Sequence, residues 1–210
     1  IEIFSRIGSG YDIDIFTSPD GRDTIGNRIP AAKFAVSPPF CDASVFYLAY
    51  LKRTAWARKQ ILKGNYDLVY GSSDFFPDVV PCARYRKLHP ESRWMQCVFH
   101  VYPPWFKRQG NALRNILGSL AQQLSFALAK RGADLVINLN RDVSRQLAGR
   151  GFQQDRLIVN PCGVDANRLQ AISATRQPLQ GCFLGRLALS KGIFDLPKIW
   201  RHVVERMPQA

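Results

Sequence analysis

Short apolar runs alternate along this chain with stretches of helical periodicity, and that alternation fixes the fold class before any single residue is weighed. The runs are Ile13–Ser18, Asp67–Ser72, Trp94–His100, Asp134–Leu139, Arg156–Asn160 and Gly181–Leu184. In several of them, such as Leu135-Val136-Ile137, successive residues are apolar, so both faces of the strand must be covered. Between them Ala43–Lys63, Asn111–Lys130, Asp142–Arg150 and Gly192–Met207 read as helices. Strands buried on both faces and separated by helices predict an α/β fold with a Rossmann-like open parallel sheet.

Two helices carry further pattern. In Asn111–Lys130, the residues Leu113, Ile116, Leu117, Leu120, Leu124, Ala127 and Leu128 follow i, i+3, i+4, i+7 spacing, which predicts one apolar stripe packed on the sheet. The helix from Ala43 is apolar nearly all round in its first half, and places Lys52, Trp56, Lys59 and Lys63 on one face in its second. Residues 1–7 read as the tail of a helix running into the first strand, and the first residue is Ile1 rather than Met. The chain is therefore expected to begin inside a domain. The stretch from Val164 to Gln180 is polar, with Pro178 just before the next strand, and reads as a linker.

At 210 residues and 46% hydrophobic the chain can bury a core of its own. Its net charge of +13 favours anionic partners: nucleic acid, acidic lipid or phosphorylated small molecules. The cysteines Cys41, Cys82, Cys97, Cys162 and Cys182 are far apart and form no C-x-x-C pair, so neither a zinc site nor a redox dithiol is expected. Reduced thiols suit a cytoplasmic protein. No apolar run reaches the ~20 residues of a membrane-spanning helix.

The chemistry is concentrated near the end of the chain. In Gly181–Leu196 a short apolar run meets a turn carrying Gly185 and Arg186, then Lys191 and Gly192, then a new helix. Backbone N–H groups, a helix N-terminus and two cations would meet at that corner, which suits an anion, a phosphate above all. Two earlier segments join it in order. Cys97-Val-Phe-His-Val-Tyr-Pro-Pro104 is a strand ending in His100 and a proline turn. Arg156-Leu-Ile-Val-Asn-Pro-Cys-Gly-Val-Asp165 is a strand ending in a Gly-Val-Asp turn.

Together the three segments resemble the GT-B retaining glycosyltransferases known as family 4. The resemblance implies two Rossmann-like domains facing across a cleft, an acceptor-side domain over residues 1–165 lacking its first strand, a linker over 166–180, and the start of a nucleotide-sugar-binding domain over 181–210. On this reading the chain is truncated at both ends, and by itself inactive. Cys162 stands where the family usually has Asn before Gly-Val-Asp. The family's glycine-rich loop would precede Ile1, and its paired donor-binding glutamates would follow Ala210.

Carried over residue by residue, Gly185, Arg186, Lys191 and Gly192 would hold the donor diphosphate. Fixed cations there stabilise charge on the leaving phosphate without a metal ion, so no cofactor is expected and the nucleotide-sugar is a substrate. His100 would hydrogen-bond the donor sugar at the cleft edge; it could equally cap a turn. Ser73 and Asp74, after another strand, could orient an acceptor hydroxyl or serve as ordinary helix N-caps. No protein nucleophile or general base is assigned.

The basic surface stands apart from that corner. Lys52, Trp56, Lys59 and Lys63, with Trp105, Lys107 and Arg108, pair aromatic rings with cations in the manner of an anionic bilayer contact. A peripheral position at the inner membrane face and a lipid-linked or polysaccharide acceptor would fit. A solvated basic face is the plainer alternative. Two other functions share the composition: a non-catalytic basic α/β module for nucleic acid or membrane, and a nucleotide-sugar epimerase of the same fold. No zinc spacing, RNA-binding aromatic consensus or helix-turn-helix supports sequence-specific nucleic-acid binding.

Overall fold

The computed structural model describes residues 2–6, 10–39, 46–164, 166–170, 183–185, 187 and 191–208. By its contacts the chain divides into two compact units, Ile1–Cys162 and Gly163–Ala210.

The first unit is an α/β domain with parallel strands throughout. Helix α1 (Glu2–Arg6) precedes strand β1 (Asp14–Thr17), helix α2 (Pro19–Ile25) and strand β2 (Lys33–Val36). β1 and β2 pair in parallel, Asp14 opposite Lys33 through Thr17 opposite Val36. Helix α2 is started by Ser18, whose hydroxyl accepts from the Gly21 N–H at 3.2 Å, with Pro19 in the first turn. Neither α2 nor β2 is legible as an element from periodicity.

Helix α3 (Phe46–Ile61) then leads to β3 (Leu68–Gly71), α4 (Phe76–Leu88), β4 (Arg93–Val98), α5 (Ala112–Gly132), β5 (Leu135–Asn138), α6 (Arg141–Ala148) and β6 (Leu157–Val159). The strands form a four-stranded parallel sheet in the order β3-β4-β5-β6, separate from the β1-β2 pair. The open parallel α/β architecture is thus the one the sequence pattern predicts.

The core packs helices onto this sheet. Trp94, Tyr85, Val79, Val98, Val136 and Leu147 are fully or almost fully buried, with Phe126, Ala129 and Phe152 around them. Gly132 lets the last turn of α5 close on Trp94: a Cβ there would lie 2.9 Å from the indole. Asp134 anchors the start of β5 by accepting from the Trp94 N–H at 2.8 Å and from Arg93 at 3.2 Å.

Helix α5 overturns one expectation. Most of its leucine stripe does not pack on the sheet: Leu113, Leu117, Leu120 and Leu124 are exposed, whereas Leu128 at the C-terminal end packs against the core. The buried residues are Asn115, Gln122, Ser125, Phe126 and Ala129 on the opposite face. The polar side chains turn inward because neighbouring loops supply backbone and carboxylate partners for Asn115 and Gln122.

The second unit holds α7 (Ala166–Gln170) and α8 (Leu196–Arg206). The strand expected over Gly181–Leu184 is not seen in its described part: Phe183 and Leu184 are exposed coil. Gly181 and Cys182 lie outside the described residues. The helix expected from Gly192 begins later, at Leu196, because Gly192 has φ +73° and its carbonyl first closes a turn with the Asp195 and Leu196 N–H groups.

Candidate functional site

Ligands of an open α/β sheet lie outside the carboxyl ends of its strands. Here the ends of β3 and β4 lead into two loops, Ser72–Phe75 and Phe99–Pro104, and two buried amides tie them down.

Gln96, on β4, is wholly buried. Its Nε2 donates to the carbonyls of Gly71 at 3.2 Å, Ser73 at 2.6 Å and Cys97 at 3.1 Å, and its Oε1 accepts from the Trp94 indole at 3.2 Å. The amide therefore fixes the turn leaving β3. It also explains Gly71, whose missing side chain leaves the space that the Gln96 carboxamide fills.

Gln122, on the buried face of α5, joins the two loops. Its Nε2 donates to Asp74 Oδ2 at 2.7 Å and to the His100 carbonyl at 3.0 Å, and its Oε1 accepts from the Tyr102 N–H at 2.9 Å. Asp74 is 2% exposed. One side chain thus links the two loops that carry Asp74 and His100.

Ser72 and Ser73 donate to a common acceptor, Asp78 Oδ2, at 2.7 and 2.8 Å. Burial pushes the Asp78 carboxyl above its ordinary value; the two serine hydroxyls pull the other way without cancelling it, and Asp74 adds to the rise. Helix α4 has Phe75 at its N-cap, with no side-chain cap bond. Ser73 and Asp74 are therefore not caps of this helix. The Phe75 ring meets Tyr50 of α3 edge-on at 5.6 Å.

His100 is exposed, with its ring 4.7 Å from that of Tyr102. The Arg108 guanidinium stands over the Tyr102 ring, 4.5 Å from its centre. Asn115 holds the segment after the proline turn against α5 by donating to the carbonyls of Arg108 at 3.1 Å and Gln109 at 3.3 Å. The result is a rim of imidazole, phenol and serine hydroxyl groups supported from beneath by amides and by the Asp74 and Asp78 carboxylates. Such a rim can exchange hydrogen bonds with a polyhydroxylated ligand.

A family model described as Glycosyltransferase Family 4 matches residues 7–168. The chain belongs to that family. Among curated proteins and among solved structures, nothing matches it. The Glycosyltransferase Family 4 match spans every strand described, so the loops after β3 and β4 belong to the family domain itself.

The remaining sequence-derived positions are scattered. In the second unit Gly185 and Lys191 are exposed, Gly192 forms the left-handed turn before α8, and Arg186 lies outside the described residues. On α3 Lys59 is exposed and Lys52 half-buried; the helix ends at Ile61, so Lys63 falls in the turn after it, exposed, with its Nζ donating to Gln60 at 2.9 Å. Trp56 packs edge-on against Phe16 of β1 at 6.5 Å. Trp105 and Lys107 are exposed in a short 3-10 turn, Trp105 against Phe106 at 5.8 Å. Among the described residues no helix is long and apolar enough to cross a membrane, and no cluster of three or more His, Cys, Asp or Glu could hold a metal.

Sequence reasoning missed Gln96, Gln122 and Asp78. Nothing in a linear pattern marks a glutamine as a loop staple. The one available signal for Gln122 was a polar residue opposite the leucine stripe of a helix taken to face water on that side.

Proposed function

We propose that the chain is the acceptor-side part of a retaining glycosyltransferase that takes its sugar from a nucleotide-sugar donor. The supporting observation is the coupling of the β3 and β4 loops through Gln122, within a Glycosyltransferase Family 4 domain. In this reading His100 donates a hydrogen bond to the donor sugar, and Ser73 contacts the acceptor hydroxyl. Asp74 holds the loop to Gln122 rather than reaching out to an acceptor. Gly185, Arg186, Lys191 and Gly192 receive the departing diphosphate, where cations and backbone N–H groups offset charge as the sugar–oxygen bond breaks. No metal is required for that step. The acceptor is a glycan or glycolipid, and a lipid-linked acceptor fits a peripheral position at the cytoplasmic membrane face.

Sugar transfer from a panel of nucleoside-diphosphate sugars tests this, measured on the full-length protein that carries this sequence. His100→Ala should lower kcat about 10²-fold, the scale of losing one aimed hydrogen-bond donor, with little change in melting temperature because His100 is exposed. Failure of that protein to bind or consume any nucleotide-sugar would overturn the reading.

A further inference from the structure

Helix α5 presents an apolar face that neither the core nor the loop site uses. Leu113, Leu117, Leu120 and Leu124 are 64%, 39%, 56% and 52% exposed. At 100° per residue they fall within about 60° of one another round the helix and extend about 16 Å along it. Exposed Arg131 continues the same line at the C-terminal end. Near the N-terminal end stand Phe106, 66% exposed, Trp105, 45% exposed, and Lys107, in the turn that packs against α5.

Charge selects the partner. Between Glu91 and Asp134 the chain carries six cations (Arg93, Lys107, Arg108, Arg114, Lys130 and Arg131) and no acid. A second copy meeting this face by two-fold symmetry would bring Lys107 and Arg131 against the same cations of its partner, with no acid contributed by α5 or the preceding turn. A straight row of leucines, flanked by amphipathic rings and long basic side chains, instead matches a flat interface of hydrocarbon under negative headgroups. We propose that this face of α5 docks on an anionic lipid bilayer, the leucines and Phe106 entering the headgroup–acyl boundary while Lys107 and Arg131 meet lipid phosphates. Arg108 takes no part, since its guanidinium is held over Tyr102. The contact surface thus lies on α5 and the preceding turn rather than on α3.

Vesicle co-sedimentation of the 210-residue chain tests this without any sugar donor, so its outcome is separate from that of the transfer assay. Binding should be at least about tenfold stronger to phosphatidylcholine vesicles containing about one third phosphatidylglycerol than to phosphatidylcholine alone, and should weaken with salt. The double variant Leu117→Gln, Leu120→Gln should lose about tenfold or more on the anionic vesicles, with an unchanged far-UV spectrum and melting temperature. Lys107→Gln with Arg131→Gln should flatten the salt dependence. Three results would each overturn the proposal: no binding to anionic vesicles; binding unaffected by the leucine changes; or a dimer that the leucine changes dissolve while vesicle binding stays as it was.

Discussion

Replacing Gln122 with leucine keeps most of the side-chain volume and removes three hydrogen bonds at once. The bond to Asp74 is made to a carboxylate that is 2% exposed, a class worth about 1.5–3 kcal/mol, and the bonds to the His100 carbonyl and the Tyr102 N–H are neutral ones worth about 0.5–1.5 kcal/mol each. All three share one side chain and do not add fully, so Gln122→Leu should cost about 3–5 kcal/mol, a large share of the about 5–15 kcal/mol stability of a domain. Urea unfolding followed by tryptophan fluorescence reads this, Trp94 being wholly buried. A double-mutant cycle with Asp74→Ala should isolate a coupling of about 1.5–3 kcal/mol between positions 74 and 122. Amide exchange adds a local readout: the Tyr102 N–H should exchange much faster in the variant while strand amides keep their protection. A loss below about 1 kcal/mol, with Tyr102 exchange unchanged, would refute the idea that Gln122 staples the two loops.

Further consequences can be measured in the same domain. Gly71→Ala places a Cβ against the buried Gln96 carboxamide, with Cδ only 2.7 Å away, and should cost about 2–4 kcal/mol; retention of the wild-type urea midpoint would show that Gln96 can move aside. At Asp134 burial alone would raise the pKa, but the Trp94 N–H, Arg93 and Arg86 outweigh it and hold the carboxyl below its ordinary value. That stabilisation is present above the unfolded-state pKa of about 4 and is lost as pH falls through the folded-state value, so Asp134→Asn and wild type should converge in melting temperature on acidification. Asp78 has the opposite sign: its raised pKa favours the folded state at low pH and opposes it as pH rises through the folded-state value. Asp78→Asn keeps an acceptor for Ser72 and Ser73, and its melting temperature should gain on wild type from acid to neutral pH; a pH-independent difference would contradict the assigned shift.

The strands of the larger sheet were legible because their chemistry is one-dimensional. A run such as Leu135-Val136-Ile137 can satisfy its backbone and its side chains together only between helices. Helix α4 was harder to see, since Pro77 and Pro81 interrupt its sequence. Pro77 falls in the first turn, where its missing N–H costs nothing, and Pro81 is carried inside the helix with its ring buried. The leucine row of α5 shows a different limit. Periodicity reports that a helix has two unlike faces, and not which of them is covered; the answer lay in partners from distant loops, Asp74 and Tyr102 for Gln122. The loop site was half legible for the same reason. Ser73, Asp74 and His100 announce themselves at strand ends, whereas Gln96 and Gln122 acquire meaning only once β3, β4 and α5 lie side by side.

In the sheet β3-β4-β5-β6 every spatial neighbour is also the next strand in the chain. During synthesis each new strand–helix step can therefore settle on scaffold that has already left the ribosome, without waiting for any later segment. The growing edge moves in one direction, so a nascent chain that has emerged as far as Gly132 has the first two strands of this sheet free to pair, with the next docking edge, along β4, still open.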